Sequence, residues 1–158
     1  MKINYAIKQI ILNLILFVLC GALYCMIEII FRGYSHISMF ILAGFLGLTC
    51  IDTPNKIWGF EMDYMLQVLI ATILCTIAEG ITGLIVNVKM DLSIWDYSGL
   101  PGTFFWGQCN LLFVLIWSLL ISCIAIFFCD AFWYYVGGEG EQPYYKIFNR
   151  EFLRFPKR

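Results

Sequence analysis

The residues that could do chemistry in this sequence are ionisable and amide side chains inside apolar runs. Glu79 lies in such a run, and Asn87 follows eight positions later with Gly83 between them. On a helix these three residues share one slowly drifting face, polar at its ends and narrow in the middle. A carboxylate near the centre of a membrane costs at least about 2.5–3.5 kcal/mol to insert. Glu79 therefore needs a partner, a proton or a polar cavity.

A second polar group occurs earlier in the chain. Glu28, Arg32 and His36 recur at intervals of four, which would stack acid, base and imidazole along one side of a helix that continued through Gly33. Two interpretations are open. The residues could form an interfacial ion pair in which Arg32 extends to the headgroups, or they could form the wall of a polar pocket that opens outward.

The segment "DLSIWDYSGLPGTFFWGQ" (91–108) mixes aromatic and polar residues. Aromatic side chains with polar edges favour the membrane interface, and its Gly and Pro residues oppose a regular helix. We expect an interfacial loop or a re-entrant one, which would have to line a wet cavity. The polar-cavity candidates of the whole chain are Glu28, Arg32, His36, Glu79, Asn87, Asp96 and Gln108. The residues predicted to shape the loop are Trp95, Tyr97, Ser98 and Pro101.

Composition indicates what must position these residues. Hydrophobic residues make up 61% of the 158 and charged residues only 13%, well outside the range of soluble domains. A span needs roughly 20 apolar residues, and continuous apolar runs favour helices over a barrel. The sequence predicts an all-α integral membrane bundle of about four transmembrane helices, with the aromatic loop before the last one. The transmembrane domain is 1–137, and its spans are about 10–31, 35–51, 65–88 and 103–128.

The basic residues predict an orientation in the cell membrane. Four spans leave both termini on one side, and eight basic residues share that side, whereas only Arg32 and Lys89 lie opposite. The positive-inside rule then places both termini in the cytoplasm. The eight residues are Lys2, Lys8, Lys56, Lys146, Arg150, Arg154, Lys157 and Arg158.

Cofactor and metal chemistry are not indicated. The seven cysteines fall almost entirely within spans, form no CxxC pair and read as small apolar packing residues. No GxxxxGK[ST] loop for ATP and no nucleophile elbow occurs. We expect no catalytic residue, no metal, no cofactor and no nucleic-acid partner.

Residues 138–158 are predicted to form a cytoplasmic tail after the flexible sequence "GGEGEQP". In this tail Lys146, Arg150 and Arg154 repeat every four residues among apolar side chains. Such a basic amphipathic segment suits anionic headgroups or the groove of a partner protein.

Three stretches resemble a known family: "GALYCMIEIIFRGYSHISMFILAGFLGL", "AEGITGLIVNVKMDLSIWDYSGLPG" and "GQCNLLFVLIW". They resemble the ABC-transporter permease family described as type IV (CmpB-like), which comprises small bacterial multi-pass proteins. The sequence departs from that family at Gly102 and Thr103, where an Asn would be expected after the proline. Positions that match the family pattern are Glu28, Arg32, Gly33, His36, Glu79, Gly83, Asn87, Trp95, Asp96, Tyr97, Ser98, Pro101, Gly107 and Gln108.

The resemblance implies a permease-like subunit that moves a small solute. Because the chain has no ATP-binding loop, such a transporter would need a separate ATPase and at least one further membrane subunit. A homo-oligomer could form through the small residues Ala43 and Gly47, although packing inside one bundle explains that pair equally well. The alternatives are a non-transporting membrane scaffold or regulator, and an integral membrane enzyme that acts on lipid headgroups.

Overall fold

A computed structural model describes residues 2–51 and 53–158, so residues 1 and 52 of the predicted domain lie outside the described residues. The described chain is mostly helical, with a few short strands. Four of its helical stretches are long and apolar enough to cross a membrane, which confirms the predicted number of such helices, whereas the strands depart from the all-α prediction. They are Asn4–Arg32, Ile37–Glu61, Tyr64–Lys89 and Leu111–Gly137.

The first helix, α1 (Lys2–Arg32), is continuous and ends before Gly33. Gly33 has a φ of +81°, a left-handed conformation that suits glycine, and its N–H donates to the carbonyl of Ile29 at 2.9 Å. His36 then caps the next helix, so the chain reverses direction in a four-residue turn. The side of the bundle that holds this turn is called the loop side below, and the side that holds both chain ends is called the terminal side.

Helix α2 (Ile37–Leu46) changes into a π-helical turn at Gly47–Ile51. Small residues let α1 approach α2 closely here. A Cβ added at Gly44 would lie 2.8 Å from the Phe17 ring, and one added at Gly47 would lie 2.5 Å from the Cys20 sulfur. Gly47 is therefore used for packing within the chain, and Ala43, the other member of the predicted small-residue pair, is buried in the bundle. Short helical turns follow at α3 (Thr53–Trp58) and Gly59–Glu61.

Helix α4 (Tyr64–Gly83) continues as a π-helical turn over Leu84–Lys89. Asp63 begins it, because an oxygen of its side chain accepts the N–H of Met65 at 2.9 Å. The described span Tyr64–Lys89 matches the predicted span 65–88 closely.

The start of the fourth span differs from the prediction. Residues 103–110, predicted to begin the helix, form a small antiparallel hairpin of β1 (Thr103–Phe104) and β2 (Cys109–Asn110). Phe105, Trp106 and Gly107 all have positive φ, so no helix can pass through them. The Asn110 side chain accepts the N–H of Leu112 at 2.9 Å and caps the helix there. Helix α5 (Leu111–Leu120), a π-helical turn (Ile121–Ala125), α6 (Ile126–Ala131) and a second π-helical turn (Phe132–Gly137) complete the span.

The C-terminal segment is a β-hairpin of β3 (Tyr144–Ile147) and β4 (Arg150–Arg154). The four-residue spacing of its basic side chains therefore does not form a helical face. Tyr145 is fully buried, with its ring edge against Tyr64 at 5.3 Å and Phe127 at 4.7 Å between centroids. These aromatic contacts dock the hairpin on the terminal side of the bundle.

Candidate functional site

Glu79 is enclosed by aromatic side chains in the middle of the bundle, and only 3% of its surface is exposed. The indole Nε1 of Trp117 donates to one carboxylate oxygen at 3.1 Å, and the hydroxyl of Tyr97 donates to the other at 3.5 Å. The Tyr24 ring stacks on Trp117, with centroids 5.0 Å apart. Within the described part of the chain, no basic side chain forms an ion pair with Glu79.

Three helices and the loop together form the surroundings of Glu79. Glu79 belongs to α4 and lies ten positions before Lys89, which is about 15 Å along a helix axis. Trp117 belongs to α5 and Tyr24 to α1, so the stacked pair bridges the first and fourth spans beside the third. Tyr97 reaches the carboxylate from the loop and stacks on Phe113 at 4.5 Å. Burial, together with the charge of Glu79, raises the pKa of Tyr97 well above its ordinary value, so its hydroxyl keeps its proton.

Glu28 and Arg32 pair as the sequence predicts. An Arg32 Nη2 atom lies 2.7 Å from Glu28 Oε1, and the hydroxyl of Ser35 donates to Glu28 Oε2 at 2.5 Å. Glu28 is only 8% exposed, while Arg32 spreads over the ring of Tyr34 at 4.7 Å. Ser35 was not a candidate, because it follows the end of the helix and its approach depends on the turn at Gly33.

His36 does not join this pair. Because α1 ends at Arg32, the imidazole falls outside the helical face that the four-residue spacing implied. Instead, its Nδ1 accepts the N–H of Ser38 at 3.2 Å and caps α2. His36 thus has a local structural role, and the predicted stack is limited to Glu28 and Arg32.

Asn87 and Gln108 connect α4 to the loop. The amide nitrogen of Asn87 donates to Gln108 Oε1 at 2.8 Å, and its oxygen accepts the N–H of Ile94 at 2.7 Å. Trp95 is buried, and its indole N–H donates to the carbonyl of Gln108 at 3.1 Å. Gly83 leaves space for Gln108, since an added Cβ would lie 2.6 Å from the Gln108 amide oxygen. The predicted face Glu79–Gly83–Asn87 is thus occupied by loop residues.

Asp96, Ser98 and Pro101 shape the loop itself. The side-chain hydroxyl and backbone N–H of Ser98 donate to Asp96 at 2.6 and 2.9 Å, and these bonds lower the pKa of Asp96. The Pro101 carbonyl accepts the Asn110 amide at 2.9 Å. Asp96 is exposed and makes no contact with Glu79. The interfacial and the re-entrant placement of this loop both remain predictions.

A cavity of about 510 Å³, lined by charged and aromatic side chains, lies on the terminal side. The buried Asp130 lines it and accepts the hydroxyl of Tyr145 at 2.7 Å. The Lys56 ammonium sits 4.2 Å from the Trp133 ring centroid in the same wall. The sequence did not predict this cavity, because its walls come from α1, α3, the end of the fourth span and the tail.

A small apolar cavity of about 80 Å³ lies between these two polar regions. Its lining extends from the stacked Tyr24 and Trp117 rings to Phe128 and Cys129, which immediately precede Asp130. The aromatic pair therefore separates Glu79 from an apolar gap that leads toward the terminal side.

No metal centre can be assembled from the described residues, since they contain no group of three or more His, Cys, Asp or Glu side chains that could hold an ion. The described cysteines form no disulfide bond. Comparisons with protein-family models, with curated proteins and with solved structures each return no match.

Proposed function

We propose that the protein is a permease-like subunit of a membrane transporter, which moves a small cationic solute together with a separate ATPase. The observation that carries this proposal is the buried Glu79 carboxylate, whose two bonded partners in the described residues are both neutral. A carboxylate in such a place is expensive and normally marks a solute or ion pathway.

The surroundings of Glu79 favour a cation over an anion. A carboxylate pairs with positive charge and repels an anion. The Tyr24 ring stacks on Trp117, and separation of the two rings would expose faces that attract cations. The Trp117 N–H and the Tyr97 hydroxyl hold the carboxylate in the solute-free state. An arriving cation would take over their role as partner of the negative charge.

The cavities are those expected of a transporter in a closed conformation. Glu79 is sealed from the loop side by the residues that bond it, and the stacked rings of Tyr24 and Trp117 seal it from the apolar gap. A gap of about 80 Å³ has room for a few waters but not for a typical drug-sized solute. Transport would require Tyr24 and Trp117 to separate.

The resemblance to the type IV permease family supports the ATPase partner and a bacterial cell membrane. The bilayer would surround the four helices, with both termini in the cytoplasm and the terminal-side cavity facing the ATPase. A homo-oligomer is compatible with this arrangement, but Ala43 and Gly47 are already used inside the bundle.

Purification from native membranes in a mild detergent tests the assignment. An ATPase that co-purifies in a fixed ratio, and whose ATP hydrolysis rises when the chain is present, would support it. A preparation that retains other membrane partners but no ATPase would contradict it. Glu79→Gln is the companion variant, because it should keep the complex while reducing solute-stimulated ATP hydrolysis.

A scaffold is the second candidate, because both carboxylate oxygens of Glu79 already have donors that join α4 to α5 and to the loop. In that case Glu79→Gln should behave nearly as the wild type, since the amide oxygen can accept the Trp117 N–H while the amide NH2 donates to the Tyr97 hydroxyl oxygen. Glu79→Leu should then impair assembly by stranding the Trp117 N–H and the Tyr97 hydroxyl.

A further inference from the structure

The tip of the C-terminal hairpin carries an exposed phenylalanine in an unfavourable backbone conformation. Ile147 pairs with Arg150, so Phe148 and Asn149 form a two-residue turn, and their φ angles are +48° and +63°. Turns of this kind prefer Asn, Asp or Gly at both positions, because a bulky side chain is disfavoured at positive φ. Asn149 fits that preference, whereas Phe148 does not.

Nothing inside the described chain accounts for the phenyl ring. Phe148 is 86% exposed, the most exposed large hydrophobic side chain of the described residues. Among those residues no other aromatic ring contacts it. A large apolar side chain that is strained and solvent-facing is therefore expected to have its partner outside the chain.

The position of the tip is fixed relative to the third span. The N–H of Phe148 donates to Asp63 Oδ2 at 2.7 Å, while the other oxygen of Asp63 caps α4 through Met65. The tip thus lies at the level where the apolar helix begins. Met65 and Leu66, the next residues of α4, are 55% and 46% exposed and continue the same apolar surface.

One positive charge, that of Arg150, lies beside the tip and is unpaired among the described residues. Lys146 and Arg150 flank the turn on the two strands. Lys146 is held by Glu61 at 2.6 Å, whereas Arg150 is exposed and forms no ion pair with any of the described residues. Basic groups beside an apolar side chain are typical of segments that lie at the boundary of headgroups and acyl chains.

We propose that Phe148 inserts into the headgroup–acyl boundary of the bilayer that surrounds the chain's own helices. The hairpin is then a rigid interfacial anchor whose ring is held at a set depth by Asp63. This role does not depend on the transport proposal, because it requires only that the third span crosses the membrane.

Site-specific photocrosslinking tests this placement. The photoreactive amino acid p-benzoylphenylalanine replaces Phe148 in the full-length chain in native membranes, and adducts are identified by mass spectrometry. Met65 is the lipid-facing control and Glu141, which lines the terminal-side cavity, is the control away from lipid. We expect lipid adducts at 148 in a yield close to that at 65 and several-fold above that at 141. Protein adducts at 148, or a lipid yield as low as at 141, would overturn the proposal.

The variant Phe148→Asn provides an independent test that does not depend on the probe. Asn is compatible with positive φ, so the hairpin should fold as well in detergent as in the wild type. In liposomes, however, proteolysis of the hairpin should be several-fold faster for the variant, because the bilayer no longer covers the tip. Equal rates of proteolysis for the wild type and the variant in liposomes would contradict the insertion of Phe148.

Discussion

Two neighbouring tyrosines of the C-terminal hairpin allow a buried hydrogen bond to be compared with an exposed one. Tyr144 and Tyr145 are adjacent on β3, and both hydroxyls donate to a carboxylate. The bond from Tyr145 to Asp130 is buried, since Tyr145 is 0% and Asp130 5% exposed. The bond from Tyr144 reaches Glu61, whose side chain is 72% exposed. Tyr→Phe at each position removes the same group from two different environments.

The expected magnitudes differ because the Tyr145–Asp130 bond is buried, whereas the Tyr144–Glu61 bond is open to water. A hydrogen bond to a charged group contributes about 1.5–3 kcal/mol, so Tyr145→Phe should raise the opening of the hairpin by about 10- to 150-fold. At Tyr144 water replaces the lost partner, and the cost should stay below about 1 kcal/mol.

Hydrogen exchange of the amides in residues 144–154, followed by mass spectrometry in lipid nanodiscs, measures this opening. Faster exchange in Tyr145→Phe alone is expected, with the rest of the bundle unchanged. Equal exchange in the two variants, or a larger effect at Tyr144, would refute the claim that burial decides the strength of these bonds.

Two further predictions concern the loop side and the topology. Gly83→Ala should destabilise the bundle by about 1–3 kcal/mol in thermal unfolding, because the new methyl would meet Gln108 at 2.6 Å. The control Gly99→Ala should be near neutral, because its new methyl would meet nothing within 4 Å. An equal loss of stability in both variants would contradict this reasoning. In a background without the native cysteines, a cysteine at Ser98 should react from outside intact cells and one at Gly138 only after permeabilisation. The reverse pattern would reject the predicted orientation.

Continuous apolar runs predicted the helices well, because length and composition alone decide which segments can cross a membrane. They failed at residues 103–110, where aromatic side chains extend the apolar run although the backbone cannot be helical. Gly107 and the capping residue Asn110 were the signals that could have moved the start to Leu111.

Contacts within one helix were predictable and contacts between helices were not. The Glu28–Arg32 pair follows from the four-residue spacing, and the structure confirms it. The Trp117 bond to Glu79 depends on how α5 packs against α4, which no local pattern encodes. In the tail, the four-residue spacing of the basic residues indicated an amphipathic segment. It did not predict the hairpin, whose turn is formed by Phe148 and Asn149.

The growth of cells that carry Glu79→Gln distinguishes a Glu79 that handles a cation from one that only joins helices. The variant keeps the shape and hydrogen-bond acceptor of Glu79 but removes its charge. It should fail to complement a strain that lacks the chain, although it reaches the membrane at wild-type abundance and assembles normally. Full complementation at matched abundance would contradict the claim and leave Glu79 as a packing residue.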